Sequence, residues 1–249
     1  MDKTVLITGV SKGLGKALAL EFKKNGFNVC GVSRTKPDFE IDYHITADLT
    51  VKRDIQKVYD TFFERFNKID VLINNAGIGL YESWKDTKEQ DLRKLCELNF
   101  YSYVFLTQKF LNHLIKTQGT IINVSSVAGK LYVPYMGAYC ASKYALNAFS
   151  DSLRVELKPF KVHVLNLIVG RINTGFSSRA LGSLEPPKTP FNASSQKFAK
   201  TVYKAYQKKK REITYPLWYK YFILLAKLFP SIYDRISLSS WEKSKNPRK

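Results

Sequence analysis

The sequence predicts an α/β fold in which one doubly wound domain has a parallel sheet with helices on both faces. Three observations support this prediction. Short apolar runs rich in β-branched residues alternate with helical stretches, and several of those runs are apolar throughout rather than at every second position. A glycine-rich turn joins the first apolar run to the first helical stretch. The 249 residues show no internal repeat and no low-complexity linker, so a single large domain accounts for them.

The strands are predicted from apolar runs bounded by turn residues. The first run, TVLIT, is β-branched and aliphatic, and glycines follow it closely. FNVCGVS and VHVLNLIVG have a similar composition, whereas YHITADLT ends in an aspartate and a threonine, Thr50, that is expected to cap the next helix. The predicted strands are 4–8, 27–33, 43–50, 69–77, 119–126, 162–170 and 212–216.

Between these strands, apolar residues recur at helical spacing. The first helical stretch ends in Asn-Gly, a C-terminal stop signal, and right-handed crossovers would place the helices on both faces of the sheet. The predicted helices are 15–26, 54–67, 87–116, 138–157 and 194–211. Residues 1–215 form the predicted domain, and residues 216–249 form an apolar and basic C-terminal extension of the same domain.

The composition restricts the compartment and the partners. The three cysteines, Cys30, Cys96 and Cys140, are odd in number and scattered, so they fit no disulfide framework and no zinc site, and no metal is expected. The N-terminus does not resemble a signal peptide, and no apolar run is long enough for a clear transmembrane helix. We therefore expect a cytoplasmic protein, with membrane association as an additional option.

The net charge of +19 is concentrated toward the C-terminus. Residues 196–249 hold 14 Lys/Arg and 3 Asp/Glu, which places +11 of the charge there. An anionic partner, either membrane lipid or nucleic acid, would explain this excess, and so would solubility combined with a lysine-rich composition. The basic residues lack a recognisable nucleic-acid recognition element, so no nucleic-acid partner is expected.

The turn TGVSKGLG, at 8–15, is a candidate phosphate-binding loop. Gly9, Gly13 and Gly15 allow a tight turn and a close approach of a pyrophosphate, and the following helix offers free N–H groups at its N-terminus. The spacing GxxxGxG differs from the commonest dinucleotide fingerprint. Its position between the first strand and the first helix indicates a Rossmann-type nucleotide site.

Basic residues favour the phosphorylated form of a dinucleotide. Lys12 lies inside the glycine turn, and Ser33-Arg34 follows the second strand, where an acidic residue would instead bind a ribose 2′-hydroxyl. Each cation alone fits a solvated surface residue equally well, but the two together favour NADP(H). Asp48 is a candidate contact for the adenine amino group, or simply a cap for the helix that follows.

The stretch YCASK, at 139–143, contains a candidate acid–base pair. Tyr139 and Lys143 are four residues apart on a helix, so their side chains share a face. An ammonium group near the phenol would stabilise the phenolate and lower the pKa of Tyr139, which could then exchange a proton with a carbonyl oxygen. Ser125 and Ser126 end the fifth strand, where strand alternation lets one of the two hydroxyls face the ligand crevice without deciding which.

These motifs occur in one order and resemble the classical short-chain dehydrogenase/reductase family over about residues 3–215. TGVSKGLG, NNAG, Asn99, NVSS and YCASK carry the resemblance, and their combination is specific. The resemblance selects Ser126 over Ser125. It implies that Ser126 positions a carbonyl, Tyr139 acts as acid or base, Lys143 binds ribose and tunes Tyr139, and Asn99 holds a water in a proton relay.

The resemblance also implies the cofactor site. It places Asn74, Ala76 and Gly77 along the cofactor cleft, with Asn74 stabilising the central strands, and it assigns Lys12 and Arg34 to the NADP-preferring subgroup. The candidate cofactor contacts are Gly9, Ser11, Lys12, Gly13, Leu14, Gly15, Ser33, Arg34, Asp48, Leu49, Asn75, Ala76, Gly77, Tyr139, Lys143, Gly170 and Thr174.

One segment departs from the family pattern. The family has Pro-Gly after the sixth strand and then a threonine that contacts the nicotinamide carboxamide. Here the stretch is VGRINT, with Val169 in the place of the proline, then Gly170 and Thr174 at the expected offset. The missing proline bears on the local loop shape and not on the chemistry.

The substrate pocket is expected to be largely apolar. Lys130 and Arg171 are the only cations noted near it, which favours an apolar carbonyl or alcohol over a phosphorylated or carboxylated one. Residues 176–191, polar and proline-rich, are expected to form a mobile lid. The predicted apolar wall consists of Leu80, Tyr81, Leu131, Val133, Tyr135 and Met136, of which about half are expected to pack beneath the loops instead.

The apolar and aromatic stretch 217–236 has three interpretations. It is too interrupted by charges to span a bilayer comfortably, but it suits an interfacial helix on a membrane surface. It would equally well pack on the domain as core, or form a homo-oligomer interface, and a dimer or tetramer is expected.

Taken together, the sequence predicts an NADP(H)-dependent oxidoreductase. Its expected substrate is a small hydrophobic ketone or secondary alcohol, lipid- or steroid-like, with Tyr139 handling the proton. The alternative is an NADP(H)-binding pseudoenzyme or scaffold that recruits a membrane or a protein partner through the basic C-terminal tail.

Overall fold

The structure, a computed structural model, describes residues 3–187 and 193–243. Within that range one parallel sheet forms, with the strand order β3-β2-β1-β4-β5-β6-β7. The strands are β1 Lys3–Thr8, β2 Phe27–Ser33, β3 Tyr43–Thr46, β4 Val71–Asn74, β5 Thr120–Val124, β6 His163–Val169 and β7 Glu212–Tyr215. The order reverses between β1 and β4, and ligands of open α/β sheets bind at such a reversal, so the fold places a ligand crevice there.

Helices cover both faces of this sheet. They are α1 Gly13–Lys24, α2 Lys52–Arg65, α3 Glu89–Cys96, α4 Ser102–Thr117, α5 Gly137–Glu156, α6 Ser195–Gln207, α7 Trp218–Leu228 and α8 Pro230–Glu242. A π-helical turn, Glu97–Tyr101, joins α3 to α4. The predicted α/β fold, doubly wound and of Rossmann type, is therefore confirmed.

The core lies in two layers that the strands share by alternation. In β1, Val5 and Ile7 pack with α1 and α6 on one face, whereas Leu6 packs with α2, α4 and the end of α5 on the other. All three side chains are fully buried. Because both faces of the central strands are covered, those strands are mostly apolar on both faces, apart from buried polar residues such as Thr4 and Asn74, and this is the pattern that predicted a parallel sheet.

Several predicted boundaries are corrected. The third strand ends at Thr46 rather than at residue 50, the fourth is limited to Val71–Asn74, and the helix predicted over 87–116 is interrupted by the π-helical turn. The residue that precedes α2 is Val51, and Thr50 does not cap it. The aspartate that follows β3 makes a side-chain turn instead, since Asp48 accepts hydrogen bonds from the backbone and hydroxyl of Thr50.

The C-terminal segment folds as two helices rather than one. The helical path is interrupted at Phe229, and Pro230 occupies the first turn of α8. On the inner side, Ala226 and Tyr233 are buried against Leu131, and Trp241 is buried against Tyr81. One side of the segment thus packs on the domain, as one of the three interpretations expected.

Candidate active site

A cavity of about 590 Å³ lies at the carboxyl ends of the central strands. One end is bordered by the glycine turn and the loops after β2 and β3, and the other by aromatic and aliphatic side chains. Ser126, Tyr139 and Lys143 lie on its wall, so the predicted nucleotide turn and the predicted catalytic residues share one cavity.

The glycine turn leaves the N-terminus of α1 accessible to a ligand. Gly9 and Gly13 have φ angles of +72° and +61°, which L-residues with side chains rarely adopt. A Cβ at Gly15 would lie 2.1 Å from the Gly9 carbonyl oxygen, so the close approach of α1 to the turn requires glycine. Lys12 precedes the helix without a side-chain cap, which leaves backbone N–H groups directed toward the cavity end.

Asn75 and Thr8 lock the glycine turn to the β4 loop. The Asn75 amide donates to the Thr8 carbonyl oxygen at 2.7 Å, and the Thr8 hydroxyl accepts from the backbone of Asn75 and Ala76 at 2.9 and 3.0 Å. Asn75, Ala76 and Gly77 line the cavity. Asn74, in contrast, lies inside the sheet, where its amide donates to Asn123 at 2.9 Å. Its predicted position along the cleft is therefore wrong. Its predicted role between the central strands is supported.

The loops after β2 and β3 form the cationic end of the cavity. Arg34 is exposed, and its guanidinium lies 4.0 Å from an oxygen of Asp48. Burial opposes ionisation of Asp48, but hydrogen bonds from Thr50 and the charge of Arg34 together lower the pKa of this carboxyl. The Ser33 hydroxyl already donates to the Thr35 carbonyl oxygen at 2.8 Å, so Arg34 and Lys12 are the groups placed for an added phosphate.

The remaining candidate cofactor contacts divide into two groups. Ser11, Leu14, Leu49, Gly170 and Thr174 line the cavity. Gly13 lies behind its wall, where a Cβ would come within 3.0 Å of the Thr174 side chain. The glycine therefore brings the turn and the β6 loop together.

Ser126 and Tyr139 meet through their side chains. Ser126 follows β5 and begins a short 3-10 turn, Val127–Gly129, whose Ala128 N–H donates to the serine hydroxyl at 3.1 Å. Tyr139 lies in the first turn of α5, and its hydroxyl shares a hydrogen bond with the Ser126 side chain. Ser125 points elsewhere, toward the backbone of Lys143. Both serines line the cavity, but Ser126 is the one whose side chain meets Tyr139, and its catalytic role stays a prediction.

Lys143 is buried beneath the tyrosine. Its Nζ donates to the Val124 carbonyl oxygen at 2.9 Å and lies 5.3 and 5.9 Å from the ring centroids of Tyr103 and Tyr139. Burial lowers the pKa of Lys143 to about 7. The amine therefore exchanges protons near neutrality, which is unusual for a lysine.

The expected lowering of the Tyr139 pKa is not found. Burial raises the pKa of the phenol well above its ordinary range, and the hydrogen bond from Ser126 opposes that rise without overcoming it. Desolvation has the largest effect on the pKa of Tyr139 because the protein encloses the phenol. Lys143 does little to oppose it, since its amine is only partly charged near neutrality.

Asn99 uses its side chain to position a loop. It lies in the π-helical turn, where its carboxamide accepts from the Ile78 N–H at 2.9 Å and donates to the Ile78 carbonyl oxygen at 2.8 Å. Such turns interrupt helices at functional sites. No motif in the sequence indicates this two-way pairing, and the water relay assigned to Asn99 stays a prediction.

Buried asparagines behind the site are a feature that sequence reasoning missed. Asn147 on α5 donates to the Gly129 carbonyl oxygen at 2.7 Å and accepts from Asn166 on β6 at 2.9 Å. Asn123 donates to Ser150 at 3.0 Å. These bonds fix α5 and the turn after Ser126 to the sheet, so Tyr139 and Ser126 are held by two rigid elements.

The apolar end of the cavity is only partly as predicted. Tyr81, Leu131, Val133 and Met136 line it, whereas Leu80 packs beneath the loop and Tyr135 packs against Trp241 at a ring distance of 5.5 Å. Sequence reasoning missed four aromatic residues of the C-terminal helices, namely Tyr219, Phe222, Tyr233 and Trp241. Their spacing indicates helices, but it does not show which face of each helix turns toward the cavity.

The cations at the substrate end also differ from the prediction. Lys130 forms an ion pair with Glu212 at 3.0 Å and is not among the cavity-lining residues of the described chain. Arg171 and Arg179 both line the cavity. The sequence argument against an anionic substrate group therefore loses its basis.

Two loops close over this end. Leu181 exchanges backbone hydrogen bonds with Tyr81 and Gly79 at 3.0 and 2.8 Å, and Ser183 donates to the Glu82 carboxylate at 2.6 Å. A lid that moved as a whole would have to break these bonds. Residues 188–191 of the predicted lid lie outside the described residues.

Comparisons with known proteins agree with this arrangement. Residues 3–182 match the family model described as short chain dehydrogenase. The chain is 33% identical over 211 residues to an NADPH-dependent 1-acyldihydroxyacetone phosphate reductase of Schizosaccharomyces pombe, covering 81% of this chain and 70% of that protein. It is 29% identical over 245 residues to the 11-beta-hydroxysteroid dehydrogenase-like 2 of Arabidopsis thaliana, covering 93% and 79%.

A solved structure extends the similarity through the C-terminal helices. A short-chain dehydrogenase from Streptomyces avermitilis has a TM-score of 0.81 and 27% sequence identity, and the match covers 98% of this chain and 97% of that one. The fold and its C-terminal portion therefore have an experimental counterpart.

Proposed function

The chain belongs to the short-chain dehydrogenase family of oxidoreductases, and on that premise we propose that it transfers hydride between NADP(H) and a hydrophobic ketone or secondary alcohol. One observation carries this proposal. The hydrogen-bonded Ser126–Tyr139 pair, with Lys143 beneath it, lies on the wall of a single cavity that is cationic at one end and apolar at the other.

The residues present fit an NADP(H) cofactor. The tight turn that presents α1 to the cavity requires glycine, because a Cβ at Gly9 or Gly15 would come within 2.9 or 2.1 Å of backbone atoms. Exposed N–H groups of α1 suit a pyrophosphate, and Arg34 with Lys12 suits an added phosphate on the ribose. The cofactor would supply or accept the hydride, and the protein would hold the reacting carbonyl beside it.

Tyr139 is the group placed to move the proton. Its raised pKa keeps the phenol protonated at neutral pH, which is the form that donates to a carbonyl oxygen during reduction. Ser126 would donate to the same oxygen as negative charge develops on it. Lys143 would return a proton toward Tyr139, since its pKa of about 7 lets it carry either charge state.

The cavity indicates the substrate class. Leu131, Phe222 and Trp241 are among the side chains of its apolar end, which suits a fused-ring or acyl substituent. Arg171 and Arg179 would accommodate an anionic group as well. The names of the two relatives above, a 1-acyldihydroxyacetone phosphate reductase and an 11-beta-hydroxysteroid dehydrogenase-like protein, fit both features.

The test is consumption of NADPH and NADH by the purified protein. Ketones of increasing chain length and ring number, with and without a phosphate group, form the substrate series. We expect turnover with NADPH that rises with apolar size. Tight NADPH binding without turnover on any ketone would contradict the enzyme proposal and favour the binding-module alternative.

Replacing Arg34 with glutamate should weaken the preference for NADPH. Loss of a charge-assisted hydrogen bond to phosphate, together with the added negative charge, should raise the KM for NADPH by about 10- to 100-fold. The KM for NADH should change little or fall. Initial rates with both cofactors measure the effect.

The matched control for this substitution is Arg53→Glu. Arg53 is an exposed arginine on α2 whose nearest carboxylate, Asp54, lies 3.7 Å away, and it does not line the cavity in the described residues. Equal losses in the two variants would point to general surface charge and contradict a contact between Arg34 and the phosphate.

A further inference from the structure

Helix α7 has two apolar faces. Tyr219, Phe222 and Ala226 lie three or four residues apart and form the inner side, where the two aromatic residues line the cavity and Ala226 is buried. Tyr221, Leu224, Leu225 and Leu228 repeat at the same spacing on the outer side and are 54–62% exposed. A soluble helix normally carries polar residues on that side, so the outer apolar face needs an explanation.

The outer apolar face continues onto α8. Phe229, Ile232 and Ile236 are 54%, 57% and 63% exposed, while Tyr233 between them is buried. We call this continuous surface the C-terminal apolar face; it consists of Tyr221, Leu224, Leu225, Leu228, Phe229, Ile232 and Ile236.

Charges around the C-terminal apolar face are mostly positive. Lys220, Lys227 and Arg235 are exposed within the same two helices. Two acidic residues lie in the same helices: Asp234, whose carboxylate accepts a hydrogen bond from the Tyr132 hydroxyl at 2.7 Å, and Glu242 at the end of α8. An apolar surface with cations at its edge is complementary to lipid acyl chains beneath anionic headgroups.

We propose that this face docks on a membrane surface that contains anionic lipid. In a two-fold symmetric dimer this surface would meet a copy of itself, so the partner would bring the same three cations, Lys220, Lys227 and Arg235, rather than a complementary anionic surface. A lipid surface meets both the apolar face and its cations. Among the residues that the structure describes, no helix is long and apolar enough to cross a membrane, so the helices would lie in the interface.

Docking in this way would connect the bilayer to the cavity, an extension that rests on the proposed function. The outer side of α7 would contact lipid while Tyr219 and Phe222 on its inner side line the cavity. An apolar ketone dissolved in the membrane would then reach Tyr139 by passing along these helices, without crossing water.

The experiment is flotation of the full chain with phosphatidylcholine vesicles, with and without about 30% phosphatidylserine. We expect binding to the mixed vesicles that decreases as salt is raised. The variant Leu224→Glu/Leu228→Glu should bind at least about tenfold more weakly, because two apolar side chains become charged. NADPH titration of the same samples shows that the fold is intact and is independent of whether the chain has any activity.

The matched control is Val155→Glu/Phe160→Glu. These two apolar side chains are also exposed, at 72% and 50%, but Val155 lies at the C-terminal end of α5 and Phe160 in the short turn that follows it. Vesicle binding by the L224E/L228E variant equal to that of wild type overturns the proposal. Absence of wild-type binding overturns it too, and a sedimentation coefficient that falls in the L224E/L228E variant would then identify a second copy as the occupant of the face.

Discussion

Replacing Tyr139 with phenylalanine should lower kcat by about 10²- to 10⁴-fold while leaving NADPH affinity nearly unchanged. The phenylalanine ring keeps the packing of the native ring, whose centroid lies 6.0 Å from that of Phe176. What is lost is the hydroxyl that meets Ser126 and to which we assign the proton transfer. Steady-state rates and fluorescence titration with NADPH separate these two effects.

Tyr144→Phe provides the control for that loss. Tyr144 lies on the same helix, and its side chain is 42% exposed. We expect this variant to keep wild-type rates, since removal of an exposed hydroxyl changes little. A Y139F enzyme that turns over like wild type would show that another group transfers the proton.

Replacing Lys143 should have the second large effect, a loss of activity combined with a gain in stability. Burial lowers the pKa of Lys143 to about 7 from an ordinary value of 10.5. The unfolded chain then binds more protons than the folded one between pH 7 and 10.5, so protonation of Lys143 destabilises the fold fully below pH 7 and not at all above pH 10.5. The cost at pH 7 is on the order of 4 kcal/mol.

Lys143→Met should remove this cost. Loss of the hydrogen bond to the Val124 carbonyl oxygen returns about 1–3 kcal/mol, so we expect a net gain of about 1–3 kcal/mol in the free energy of unfolding at pH 6–7. The gain should shrink as pH rises from 7 toward 10.5, because the lysine of the unfolded chain then also loses its proton. Urea unfolding at pH 6, 8 and 9.5 measures this difference.

Activity completes the test of Lys143. The methionine variant should lose turnover, because it can neither bind ribose hydroxyls nor exchange a proton with Tyr139. A variant that is less stable than wild type at pH 6 would contradict a destabilising role for the buried amine. Retained turnover would contradict its place in the mechanism.

Local signals made much of the site predictable. The turn around Gly9 and the pair Tyr139–Lys143 are short motifs whose chemistry depends on spacing within one turn or one helix. Likewise, apolar runs that indicate strands buried on both faces predicted the parallel sheet. These features are set by nearest neighbours along the chain, so reading the residues in order is sufficient to find them.

What escaped prediction depends on distant contacts. Packing against residues such as Leu131 decides which face of α7 turns inward. The carboxamide of Asn99 forms a hydrogen bond with the backbone of Ile78, 21 positions earlier in the sequence. The pKa of Tyr139 rises because the folded chain encloses it, and no spacing along the sequence measures enclosure. Arg179, too, reaches the cavity only through the path of its loop.

The contact between Gly170 and Tyr219 limits how this protein can be recombined with its relatives. A Cβ at residue 170 would lie 2.1 Å from the Tyr219 ring, so the C-terminal helices seat only on a chain that has glycine there. A chimera that receives these helices keeps this contact when its β6 comes from a relative with the glycine of the family pattern. With a relative that lacks the glycine, the helices and the end of β6 would have to be exchanged as one unit, because the added side chain would displace Tyr219 from the cavity wall.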